Sequence, residues 1–144
     1  MKYLVRSICV LLVIAIMLIV PVSAEEQNER SSAYFAALQT YISRKTDTEF
    51  RVWFDATGKE RMETIGVSEI VLQRSVNNAT WTTIKTYTPD DYPQMLEYNT
   101  GSCTNYVSYT GNMYYYYRAY VTFYAKNSSG SGEMYFYTSP VRLD

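Results

Sequence analysis

Residues 113–126 read MYYYYRAYVTFYAK, with six tyrosines among fourteen positions. Read at a period of two, the run separates into two faces. Tyr115, Tyr117, Ala119, Val121, Phe123 and Ala125 make one; Tyr114, Tyr116, Arg118, Tyr120, Thr122 and Tyr124 make the other. The first set is apolar and includes small residues, which suits a packed interior. The second is a line of tyrosines around one arginine and is expected to face outward. The alternation predicts a central β-strand over 113–126. Tyr115 or Tyr117 is expected to bury its ring and bond its hydroxyl to nearby backbone, as a tyrosine corner does.

Similar signals lie on either side. LQTYISR (38–44), EFRVWFDA (49–56), SEIVLQRS (68–75), TWTTIKTYT (80–88), CTNYVSYT (103–110) and EMYFYTSPVRL (133–143) read as further strands. They alternate, or are rich in the β-branched and aromatic residues that suit a pleated surface. VNNA (76–79) and NSSGSG (127–132) are turns, because Asn and Gly accept positive φ. KERMETIG (59–66) is expected to be a loop with a helical turn that tucks Met62 and Ile65 inward. PDDYPQMLEYNTG (89–101) is expected to be a long loop with a turn of helix near Gln94 to Leu96. Ser31 or Ser32 is expected to cap a short helical turn over 31–37. Seven strands with frequent turn signals predict an all-β chain, a two-sheet antiparallel sandwich, with a closed barrel as the alternative.

The first 24 residues carry a different signal. Lys2 and Arg6 precede an apolar run over 9–20, then Pro21-Val22-Ser23-Ala24, then the polar EEQNERSS. That order predicts a secretory signal peptide cleaved after Ala24. A polar leader over 25–32 and a single domain over 33–144 complete the expected organisation, and the expected location is extracellular. The only membrane contact expected is through the signal peptide before cleavage. Without Lys2 and Arg6, 11 basic residues face 14 acidic ones, a net charge of −3. That balance argues against a nucleic-acid partner, which requires clustered Lys and Arg. Cys103 is then the sole cysteine, so it either bridges two chains or packs as a small hydrophobe.

The middle of the chain resembles a known family. Ile70, Leu72 and Arg74-Ser75 run into a turn, then Trp81 and Ile84. Later come Tyr117-Arg118, Ala125, Asn127 and the Ser/Gly turn over 128–132. Together these resemble the fibronectin type III pattern of secreted bacterial proteins, over about half of the mature chain. The resemblance implies an immunoglobulin-like sandwich. The segments over 31–43 and 89–101 depart from that pattern. METIGVSEIVLQRS (62–75), WTTIKTYT (81–88) and the tyrosine run also resemble segments of a group of small secreted single-domain proteins from Gram-positive gut anaerobes. That second resemblance implies no activity.

The composition removes much chemistry. There is no histidine, hence no histidine base, no Ser-His or Cys-His pair and none of the usual zinc ligands. No phosphate-cradling glycine loop occurs. Asp90-Asp91 is too sparse a set of oxygens for calcium. No catalytic residue, cofactor or metal site is therefore expected, and the chain reads as a non-enzyme. A hydrolase using two distant carboxylates is the least favoured reading. The candidate ligand-binding residues are Tyr116, Arg118, Tyr120 and Tyr124, with Trp53 as a separate candidate on the outward side of its own strand. Tyr and Trp offer rigid apolar faces with polar edges, which suits a protein or glycan partner. The alternative is a purely structural role, in which the tyrosines serve only to stabilise the sheet.

Overall fold

The computed structural model describes residues 33–144. The expected signal peptide, polar leader and Ser31 or Ser32 cap fall outside the described residues. The chain forms β1 (Phe35–Arg44), β2 (Glu49–Ser75), β3 (Thr82–Tyr87), β4 (Leu96–Thr110), β5 (Tyr116–Asn127), β6 (Gly130–Tyr137) and β7 (Val141–Arg142). All seven belong to one antiparallel hydrogen-bonded network.

β2 organises everything else. At 27 residues it would measure roughly 90 Å if straight, far longer than a packed chain of this length is wide. It bends. Its first part, Phe50 to Thr57, lies between β1 and β4. Its last part, Ile70 to Arg74, lies between β3 and β5. β6 then extends the sheet beyond β5, and β7 pairs with the first residues of β5. The bend brings distant parts of β2 together. Phe50, near its start, packs with its ring tilted against Tyr117 at 4.9 Å, and Tyr117 pairs with Arg74 near its end.

Two irregularities shape the bend. The ladder with β4 breaks between Thr57 and Met62, and the ladder with β5 skips a residue between Val67 and Glu69. The second is a bulge at Ser68, whose Oγ donates to the Thr122 carbonyl at 3.3 Å. A bulge bends the strand and resets which side chains face in. Ile65 and Val67 before it, and Ile70 and Leu72 after it, are therefore all buried. Gly66 sits at the bend with φ +148°. A side chain there would run into the Met95 carbonyl oxygen and lie 3.0 Å from Leu96 Cα.

The interior is built from alternate residues of the long strands. Phe50, Val52, Phe54 and Ala56 share one buried cluster with Tyr117, Ala119, Val121, Phe123 and Ala125, together with Tyr87, Met95 and Leu143. A fully buried Phe, Ile or Leu contributes about 1.5–3 kcal/mol. Buried Tyr87 donates its hydroxyl to the Ser108 carbonyl at 3.0 Å. Burial first, then Tyr92 and Tyr109, pushes its pKa well above the ordinary tyrosine value. Cys103 is buried, and its Sγ contacts the Met95 carbonyl oxygen at 3.6 Å. Burial, then Glu97 and Asp55, pushes its pKa up to about 12.

Several sequence expectations need correction. No helical turn opens the described chain: β1 already runs from Phe35, hydrogen-bonded to β2 through its Gly58 partner. The expected loop over 59–66 is strand, the middle of β2. Met62 and Ile65 are buried as expected, but their spacing of three hid the strand. The segment 96–101 is also strand, and only Pro93–Met95 forms a 3-10 turn, close to the turn foreseen near Gln94. The tyrosine strand starts at Tyr116, not 113. Tyr114 adopts φ +68° in the turn before it and is 67 % exposed.

Candidate binding surface

From Tyr116 onward the parity of β5 is that of the sequence. Tyr117, Ala119, Val121, Phe123 and Ala125 are buried, while Tyr116, Arg118, Tyr120, Thr122 and Tyr124 are half-exposed on the other side. Tyr117 sits at the corner. Its hydroxyl accepts from the Asn112 backbone N–H at 2.7 Å and donates to the Asn112 carbonyl at 3.0 Å. Burial raises its pKa, partly offset by that backbone bond.

Arg118 is the centre of the outer face. Its register partner is Gln73 of β2, and its Nε donates to Gln73 Oε1 at 2.8 Å. Its guanidinium carbon lies 4.3 Å from the Trp81 ring centroid and 4.4 Å from that of Tyr137. The cation is thus held between two aromatic rings. Such a contact contributes about 0.5–1 kcal/mol at an exposed site and more when water is excluded. The contacts continue along the face. Tyr137 packs on Tyr120 at 4.9 Å, and Tyr120 on Tyr135 at 5.4 Å. Burial, then Tyr135, Tyr137 and Glu69, raises the Tyr120 pKa. Tyr135 and Tyr137 remain 59 % and 54 % exposed.

The two outer tyrosines of β5 do not join this cluster. Tyr116 pairs with Arg142, whose guanidinium lies 5.6 Å from its ring centroid. Tyr124 pairs with Gly66 and Glu133. Sequence reading missed Trp81, Gln73, Tyr135 and Tyr137 as site residues. The signal for the tyrosines was present: EMYFY alternates, and a hairpin at NSSG lays it antiparallel beside β5. The positions of Trp81 and Gln73 depend on long-range register, which no local pattern encodes.

Trp53 belongs to a separate surface, the outer side of β1, β2 and β4. It faces Tyr41 on one side and Tyr106 on the other in register. The Tyr41 and Trp53 rings are near-parallel, 13° apart at 6.3 Å, and Trp53 packs on Tyr106 at 4.6 Å. Trp53 Nε1 donates to Ser43 Oγ at 2.9 Å. The Arg51 guanidinium carbon lies 4.3 Å from the Tyr106 centroid, and its buried Nε has no acceptor among the described residues.

No protein-family model, no curated protein and no solved structure matches the chain. Among the described residues, no three His, Cys, Asp or Glu side chains gather to hold a metal ion. No helix among them is long and apolar enough to cross a membrane.

Proposed function

We propose that this chain is a small secreted recognition module without enzymatic activity, and that the outer face of β5 and β6 binds an extracellular protein. The observation that carries the reading is the arrangement of Tyr135 and Tyr137. Both rings stand more than half exposed, yet each packs against Tyr120, and Tyr137 also against the Arg118 guanidinium. Rigid tyrosine rings give large contact area with little entropy left to lose on binding. Aromatic and arginine side chains of this kind dominate protein hot spots. The absence of histidine and the N-terminal pattern of residues 1–24 support the non-enzymatic and secreted parts of the reading.

The scaffold is read as a fibronectin type III-like sandwich. A three-strand half (β1, the start of β2, and β4) packed against a four-strand half (β3, the end of β2, β5 and β6) supports it. So does the tyrosine corner at Tyr117. The rival is a purely structural role for the tyrosines.

The test is the double variant Tyr135→Ser/Tyr137→Ser, probed on an array of extracellular proteins. The wild type is expected to bind at least one component, and the variant about tenfold less tightly. The melting temperature should fall by about 5–10 °C, because two ring–ring contacts and one cation–ring contact are lost, with the protein still folded at the temperature of the binding assay. A wild type that binds nothing, or a variant that binds as well, sinks the proposal and leaves the structural role.

A further inference from the structure

The outer side of β1, β2 and β4 carries three successive rows of residues in register. Tyr41, Trp53 and Tyr106 form the middle row. Gln39, Asp55 and Thr104 form the next row on one side. Ser43, Arg51 and Ser108 form the next row on the other. A line of rings is therefore bordered along both sides by hydroxyl, amide, carboxylate and guanidinium groups.

We propose that this surface is a glycan-binding platform for a neutral, extended polysaccharide of pyranose units. The chemistry fits at three points. A pyranose ring has apolar faces of C–H bonds and a rim of hydroxyls. Aromatic side chains offer the matching apolar faces, and the flanking rows offer the donors and acceptors for the rim. Trp53 and Tyr106 pack on each other at 4.6 Å and the Arg51 guanidinium covers Tyr106, so the ring open to a sugar is that of Tyr41, which takes one pyranose unit. A depression of about 250 Å³, lined by Ala37, Leu38, Gln39, Asp55 and Thr57, adjoins the row on the Gln39–Asp55 side. It gives the next sugar along the chain a place with a carboxylate and an amide at hand.

The platform is pre-organised. The Trp53 indole is tied by Nε1 to Ser43 Oγ at 2.9 Å, and the Arg51 side chain is packed on Tyr106. Tyr41, on the edge strand, is 45 % exposed and offers the most open ring of the row. A protein hot spot is sealed by a ring of contacts that exclude water. Here the bordering rows are polar throughout, which favours a hydroxyl-rich ligand. The site lies apart from Arg118 and shares no residue with the β5–β6 face. It stands or falls independently of the protein-binding reading.

The test is affinity electrophoresis of the full-length protein in gels containing hydroxyethylcellulose or a soluble mannan, with the tryptophan emission followed in solution. The wild type should be retarded by at least one polysaccharide and its emission should change saturably. Tyr41→Ala and Gln39→Ala should each weaken retardation, Tyr41→Ala by about tenfold. Gln39→Ala, at an exposed position, should leave the melting curve unchanged, and Tyr41→Ala, which loses its stacking on Trp53, should melt only a few degrees lower. Tyr135→Ser/Tyr137→Ser should bind the polysaccharide as the wild type does. The proposal is overturned if neither polysaccharide retards the wild type. Unchanged retardation of both Tyr41→Ala and Gln39→Ala overturns it equally, and so does loss of sugar binding in the Tyr135/Tyr137 variant.

Discussion

The two outer faces use the same ingredients to different ends. Each has a tryptophan, tyrosines and an arginine. On the β5 face, Arg118 lies between Trp81 and Tyr137 and is bonded to Gln73. The rings close around the cation. On the β2–β4 face, Arg51 covers only Tyr106, and the rings of Tyr41, Trp53 and Tyr106 run side by side across three strands. The difference comes from register. Three aromatics at directly opposed positions make a row, whereas an arginine opposite a glutamine and diagonal to a tyrosine is enclosed. Composition alone does not distinguish the two; pairing does.

The harshest way to break the comparison is to remove what holds the faces on one frame. Gly66→Ala places a Cβ against the Met95 carbonyl at a positive φ. It is expected to cost about 3 kcal/mol or more, and to disturb both faces together, as read by urea unfolding with tryptophan emission. Wild-type stability would show that β2 can shift there without loss.

Alkaline pH comes next and acts on the interior between the faces. Cys103, ordinarily near 9.0, is raised to about 12, and burial raises Tyr87 well above its ordinary 10.0. The folded protein therefore holds protons that the unfolded chain has released. Stability is complete below pH 9 and falls as pH rises, by about 1.4 kcal/mol per unit for each such group. Urea midpoints between pH 8 and 11 check this. Cys103→Ala should move the onset from about pH 9 to about pH 10, where tyrosines ionise in an unfolded chain. An unchanged onset would mean that Cys103 is not the first group to titrate.

The finest comparison sets the two arginines side by side. Arg118→Met removes two cation–ring contacts and a hydrogen bond, and should cost about 1–2 kcal/mol. Arg51→Met removes one ring contact and an unsatisfied Nε, and should cost less than about 1 kcal/mol. Equal losses in thermal unfolding would erase the distinction between enclosed and open arrangements.

Much of this was legible along the chain. The parity of 116–125 gives the right buried and outward sets, and Asn78 takes the positive φ expected of its turn. β2 was not legible as one strand. Gly58, Gly66 and the charged Lys59, Glu60 and Arg61 look like a loop, and the bulge at Ser68 breaks the period that would reveal a strand. The site was half legible. Arg118 and Tyr120 were found by alternation within one strand. Their partners Trp81, Tyr135 and Tyr137 come from other elements, and only the fold's register brings them close.

The continuity of β2 also bears on how the protein can fail. A structure whose halves meet through a linker can lose one half and keep the other, offering a protease a loose segment to cut. Here the same strand pairs with β1, β3, β4 and β5. Freeing either half means tearing ladders from the strand that the other half needs. Opening is therefore all-or-none, and the rate of proteolytic cleavage within β2 should follow global unfolding and not local fraying.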